Sequence, residues 1–213
     1  MNTLQAIAHI LRTEGIEWIG CFPSNNLIEA VAQEGIRPLM FRQERGALMA
    51  ADGFSRLNNR KTFGVVITQG GPGAENAMGG LAQAYGDNVP VLYFAGGPAL
   101  NQRDVRPNFS AVRTYQTVSV SGEVIWKPDM VAAVLRRAFH RLRNGRPGPV
   151  IIEVPNDVGT QEVPKVEGVR PALFGPEPAP ARSEAAPATP PAGVPAPPGA
   201  RPDEEEGAPC RGG

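Results

Sequence analysis

A parallel α/β fold of about six strands, with helices on both faces, is what the sequence predicts, and three observations carry that expectation. FGVVIT (63–68) is apolar throughout, as a strand buried on both faces must be, and PVLYFA (90–95) and VIIEV (150–154) read as further buried strands. Between such runs lie segments whose apolar residues recur at helical spacing. Turns bearing glycine and proline fall where one kind of segment passes into the other, a rhythm that builds strand–helix–strand units.

Leu4, Ile7, Ala8 and Leu11 recur at helical spacing, and Gly15 suits a left-handed C-terminal position, so the chain opens with a helix. WIGCF (18–22) is a short apolar strand, and LIEAVAQEG (27–35) a second helix. RPLMF (37–41) reads as the second strand, and it passes through Glu44 into a helix rich in glycine and alanine. FGVVIT is the third strand, and TQGGPGAEN (68–76) turns into a helix that runs to about Tyr85. PVLYFA (90–95) is the fourth strand and VSVS (118–121) a weaker one. MVAAVLRRAFHRLRNG (130–145) alternates an apolar with an arginine face and closes at Gly145, ahead of the final strand VIIEV. Ligands of such sheets gather at the carboxyl ends of the strands. FPSNN, RQERG, TQGGPGAEN and AGGP all follow strands.

The 213 residues suffice for one domain of ordinary size. Lys and Arg number 21 and Asp and Glu 21, so net charge suggests neither a nucleic-acid nor an anionic-membrane partner. No apolar run approaches the ~18 residues that a membrane span needs. MNTLQAIAHILRTEG lacks the pattern of a signal peptide, and two cysteines make no disulfide framework, so a cytoplasmic setting is expected. Cys21, in an apolar run, reads as a buried small hydrophobe. Composition changes near residue 171: of 23 prolines, those from Pro171 to Pro209 sit among Ala, Gly, Arg and Glu with almost nothing large and apolar. The expectation is a folded domain over 1–165 and, over 166–213, a linker and disordered tail.

TQGGPGAEN misses the Lys-Ser/Thr ending of a P-loop and the third glycine of the dinucleotide fingerprint, where Asn76 stands. It is either a close strand-to-helix turn or a polar-group site, since Gly71 and Pro72 give a sharp helix entry with exposed N–H groups. Glu44 either serves the helix dipole or, set among Gly46, Ala47, Ala50, Ala51 and Gly53 behind Leu39, Met40 and Phe41, is an acid in a poorly hydrated place. Burial favours its neutral form and the helix terminus its charged form, a balance suited to moving protons. Ser24 reads as a helix N-cap ahead of a substrate-facing hydroxyl. His9 and His140 lie on amphipathic helices without ligand spacing, which leaves no Ser-His-Asp triad and no metal ligands.

In order, FPSNNL, RQERGALMAADGFSR, GGPGAENAMGGLAQAYGDNVPVLYFAGG and GRPGPVIIEVPNDV resemble the N-terminal pyrimidine-binding domain of thiamine diphosphate-dependent enzymes. That group includes acetolactate synthase, benzoylformate decarboxylase and oxalyl-CoA decarboxylase. The resemblance spans about residues 1–160, and the family signature E-x-x-A-x-x-x-A-x-G-x-x-R stands as Glu44, Ala47, Ala51, Gly53 and Arg56. It implies that Glu44 hydrogen-bonds N1′ of the cofactor's aminopyrimidine and favours the imino tautomer, which deprotonates C2 for attack on a 2-oxo acid. It implies that Gly70, Gly71, Pro72, Gly73 and Asn76 line the pyrimidine side near a subunit interface, and that Pro23, Ser24 and Asn25 face the reacting carbon. Ser110 stands where acetolactate synthases place a glutamine, which leaves other decarboxylases and carboligases open.

The family's second domain, which holds the diphosphate through Mg²⁺ with a G-D-G motif and following asparagines, has no counterpart in the sequence. The resemblance therefore implies binding of the pyrimidine half only, Mg²⁺ only through another domain or subunit, a homo- or hetero-oligomeric assembly, and no activity of the chain alone. A truncated or frameshifted copy is expected ahead of a split-enzyme subunit or a repurposed module. A nucleotide-binding module using the GGPG turn is the alternative, with Asp87 as its ribose-binding acid.

Overall fold

The computed structural model describes residues 1–58 and 62–164, and the linker and tail expected over 166–213 lie outside the described residues. Six strands form one sheet: β1 (Trp18–Cys21), β2 (Arg37–Met40), β3 (Gly64–Thr68), β4 (Val91–Gly97), β5 (Ser121–Val124) and β6 (Pro149–Pro155). Their order is β2-β1-β3-β4-β6-β5, and every neighbouring pair is parallel. The helices are α1 (Thr3–Thr13), α2 (Asn26–Gln33), α3 (Glu44–Leu57), α4 (Pro72–Gly86), α5 (Ala111–Thr114), α6 (Val131–Arg143) and α7 (Asn156–Gly159). The predicted parallel α/β fold is therefore observed.

Side chains alternate across a strand, so each inner strand feeds two cores. Val65, Ile67, Leu92, Phe94, Val150 and Ile152 pack with large side chains of α1, α2 and α6. Val66, Val91, Tyr93, Ala95 and Ile151 pack with α3 and α4 through Ala47, Leu48, Ala51, Ala74, Ala77 and Leu81. Each fully buried Leu or Ile contributes ~1.5–3 kcal/mol over its exposed state. The second layer is built mainly of small residues, and it is thin. A Cβ on Gly64 would lie 2.5 Å from Ala51 Cα and Cβ, and one on Gly20 would lie 3.2 Å from the Ala47 carbonyl oxygen. α3 thus rests almost on the backbone of β1 and β3.

Two expectations need correction. The strand predicted over 118–121 begins only at Ser121, because Tyr115–Val118 forms a 3₁₀ turn that buries Tyr115 against α4. Gly122 and Glu123, poor strand formers, hid the true segment from a propensity reading. The second strand forms as read but lies at a sheet edge, and Met40, one of the apolar residues expected to keep Glu44 poorly hydrated, is 56% exposed.

Candidate functional site

The chain steps from β1 outward to β2 through α2, then returns across β1 to β3 through α3. That reversal falls at the carboxyl ends of β1 and β3, the usual ligand position of such sheets. Three loops meet there, and hydrogen bonds tie them together. Asn25, after β1, donates from Nδ2 to the carbonyl oxygen of Thr68, the last residue of β3 (2.7 Å). Its Oδ1 accepts the Leu27 amide, so Asn25 is the N-cap of α2. This overturns the reading of Ser24 as the cap: Ser24 adopts φ 80° and is exposed, as is Pro23. Ser and Asn cap equally well, so cap preference alone could not distinguish the two positions.

Glu44 is the first residue of α3 and only 6% exposed. Its Oε2 accepts a hydrogen bond from Asn76 Nδ2 at 2.5 Å. Oε1 has no hydrogen-bond partner among the described residues, and it lies 3.0 Å from the place a Cβ on Gly73 would take. Gly73 is therefore a cradle that a side chain would fill. The carboxylate sits at two helix N-termini at once, its own and the first turn of α4, where backbone N–H groups favour negative charge.

The turn before α4 is equally tight. Pro72 opens the helix, and Gly71 precedes it at φ 60°, a conformation that a side chain would strain. A Cβ on Gly70 would run into the carbonyl oxygen of Gly96 at the end of β4. The structure thus joins Glu44, Gly73 and Asn76 directly, and Asn25 and Gly70 through β3 and β4. Pro23 and Ser24 make no hydrogen bond to that cluster among the described residues.

Several neighbours escaped the sequence reading. Thr68 Oγ1 and Tyr93 Oη lie 2.6 Å apart, both fully buried beneath the turn. Burial, then the nearby Tyr115, holds the Tyr93 phenol protonated well above its ordinary range, with Glu44 adding in the same direction. A tyrosine amid VLYFA was the available signal. Glu153, 1% exposed on β6, accepts from Arg103 Nη1 (2.6 Å), Ser110 Oγ (3.1 Å) and the Val112 amide (3.2 Å), which fastens the loop after β4. Ser110 also caps α5. Asp87, the candidate ribose acid, caps the far end of α4, where Arg56 (2.7 Å) and Gln83 (2.9 Å) occupy its carboxylate. His9 and His140 are exposed. Among the described residues no group of three or more His, Cys, Asp and Glu side chains is placed to hold a metal ion, and no helix is long and apolar enough to cross a membrane.

The chain is 33% identical over 168 residues to the acetolactate synthase large subunit of Lactococcus lactis subsp. lactis (strain IL1403), covering 76% of this chain and 29% of that protein. Identity to the probable acetolactate synthase large subunit of Methanocaldococcus jannaschii is 32% over 168 residues, 76% of this chain and 28% of the relative. For the acetolactate synthase isozyme 2 large subunit of Escherichia coli (strain K12) the values are 31% over 170 residues, 74% and 29%. The chain thus spans less than a third of the length of these curated relatives. Residues 1–119 match the family described as thiamine pyrophosphate enzyme, N-terminal TPP binding domain, and on that match the chain belongs to the thiamine pyrophosphate enzyme family.

Proposed function

We propose that the chain is the pyrimidine-binding part of a thiamine diphosphate-dependent 2-oxo acid decarboxylase or carboligase, with Glu44 the residue that engages the cofactor's aminopyrimidine. The observation that carries this reading is the state of the Glu44 carboxylate, buried, with Oε2 occupied by Asn76 and Oε1 beside the Gly73 cradle without a partner among the described residues. A weakly basic ring nitrogen suits such an oxygen, because a carboxyl group screened from water shares a proton with it more strongly than a solvated one would. Bound thiamine diphosphate supplies nucleophilic carbon chemistry towards 2-oxo acids. The chain's own contribution is to hold and move one proton at the ring nitrogen. Ala47 and Ala51, pressed onto Gly20 and Gly64, keep water from the back of the site. The domain ends near residue 165 in this reading, and Mg²⁺ and the diphosphate are held by a further domain or subunit in a homo- or hetero-oligomer.

The test is a thiamine titration of the purified chain, followed by amide and side-chain NMR shifts. Thiamine should perturb Glu44, Gly73 and Asn76, and Glu44→Gln should weaken binding about ten-fold or more, the cost of one charge-assisted hydrogen bond. Equal binding by wild type and Glu44→Gln would make the assignment wrong.

A further inference from the structure

We propose that Tyr93 is a positioning residue for this site: its hydroxyl, acting through Thr68, sets where the turn before α4 presents Gly73 and Asn76 to Glu44. This inference rests on the reading of Glu44 given above. The hydrogen-bond directions follow from counting protons. Among the described residues Tyr93 Oη has Thr68 Oγ1 as its one partner at 2.6 Å, and Thr68 Oγ1 also reaches the Gln69 carbonyl oxygen at 3.2 Å. If Tyr93 donates to Thr68 and Thr68 donates to Gln69, both hydrogens are used. The reverse leaves a buried phenolic hydrogen without an acceptor, a costly state. Burial keeps the phenol protonated, so it remains a donor.

The hydroxyl is not needed for packing. Tyr93 lies in the all-apolar centre of β4, fully buried against Val91, Ala95 and the small residues of α3 and α4. Phenylalanine would fill that space with no hydroxyl to desolvate. What the hydroxyl reaches is a turn in need of external support. Gln69, Gly70 and Gly71 precede the helix, and glycine there leaves the backbone much freedom to lose on ordering. Three contacts restrain it: Asn25 on the Thr68 carbonyl, Gly96 against Gly70, and the Tyr93–Thr68–Gln69 chain from beneath. Of these, the Tyr93–Thr68–Gln69 chain is the one that starts from a side chain in the core of the sheet.

Tyr115 supplies a matched control. Its ring lies 6.2 Å from that of Tyr93, it is also fully buried, and its hydroxyl has no hydrogen-bond partner among the described residues. The experiment compares Tyr93→Phe, Tyr115→Phe, Thr68→Val and Thr68→Ser in the free chain. The readouts are the side-chain amide signals of Asn25 and Asn76 and the exchange of the Glu75 amide, which is bonded to the Gly71 carbonyl oxygen at 2.9 Å. Tyr93→Phe and Thr68→Val should move both side-chain signals and speed Glu75 exchange about ten-fold, with the β3–β4 ladder unchanged. Thr68→Ser, which keeps the hydroxyl, and Tyr115→Phe should behave as wild type. If Tyr93→Phe leaves these signals in place, or if Tyr115→Phe changes them equally, the inference fails. A Tyr93→Phe chain that does not fold leaves the Thr68→Val and Thr68→Ser pair to decide in the same way. None of these readouts requires thiamine, so a wild type that ignores thiamine refutes the reading of Glu44 and leaves this test standing.

Discussion

The burial of Glu44 was legible in the sequence because a lone acid follows an apolar run just where small residues begin. Thr68 and Tyr93 were not, because a lone hydroxyl in a buried strand reads as tolerated polarity until its partner is seen across the sheet. Cys21 was read as a buried small hydrophobe and is one: fully buried, its thiol lies 3.4 Å from the Leu39 carbonyl oxygen and 3.1 Å from Met40 Sδ. Burial pushes the thiol from its ordinary value of 9.0 up to about 11. The folded state therefore keeps this proton while the unfolded chain loses it, so the stability linked to it is complete below pH 9.0 and is lost as pH rises to about 11. Urea titrations across that interval should give a steeper fall for wild type than for Cys21→Ala. Alkylation of the native protein at pH 8 should spare the Cys21 peptide, and labelling as fast as in urea would refute the burial.

At the scale of the element, α3 is where the signature residues divide their labour. Ala47 and Ala51 bring the helix onto Gly20 and Gly64, and Arg56 binds Asp52 (2.7 and 3.2 Å) and Asp87 (2.7 Å), clamping the end of α3 to the end of α4. Of the five small residues expected to permit close packing, only these two alanines lie against the sheet; a Cβ on Gly53 would meet nothing within 4 Å. Composition reveals small residues but not which side of a helix they face. Opposite effects follow from one kind of substitution. Gly64→Ala would push a methyl group into Ala51 backbone and should destabilise by ~1–3 kcal/mol. Gly53→Ala relieves a helix-interior glycine in open space and should stabilise by ~0.5–1 kcal/mol. Thermal melts of both variants check the pair, and a destabilised Gly53→Ala chain would contradict the open surface seen here. The inner strands β3, β4 and β6 were recognisable because burial on both faces leaves a largely apolar run, broken in β6 only by Glu153. β5, at an edge and carrying Gly122 and Glu123, was misplaced because an edge strand needs no such run.

For the whole molecule, the sheet order concentrates chemistry at one place. Because β1 lies between β2 and β3, the loops after all three strands converge, and Asn25, Glu44 and Gly73 come from 49 residues of chain. Neither periodicity nor composition specifies strand order, so the sequence alone suggested which loops share an end of the sheet but not which of them touch. What the described residues of the converged site offer a ligand is limited: one free carboxylate oxygen, a glycine cradle and a wall of small residues. A single charge-assisted hydrogen bond contributes ~1.5–3 kcal/mol, and a few apolar contacts must also offset the cost of association. Thiamine should therefore bind the chain with a Kd near the millimolar range, ~4 kcal/mol, and thiamine diphosphate in the presence of Mg²⁺ should bind no more than slightly better. At that affinity the cofactor is not held long or firmly enough for turnover, and the 213-residue chain with thiamine diphosphate, Mg²⁺ and pyruvate should release no CO₂ above background. Sustained Mg²⁺-dependent release that disappears in Glu44→Gln would keep the role of Glu44 and overturn the division of labour, because the chain would then hold the diphosphate by itself. Release that survives Glu44→Gln would overturn both.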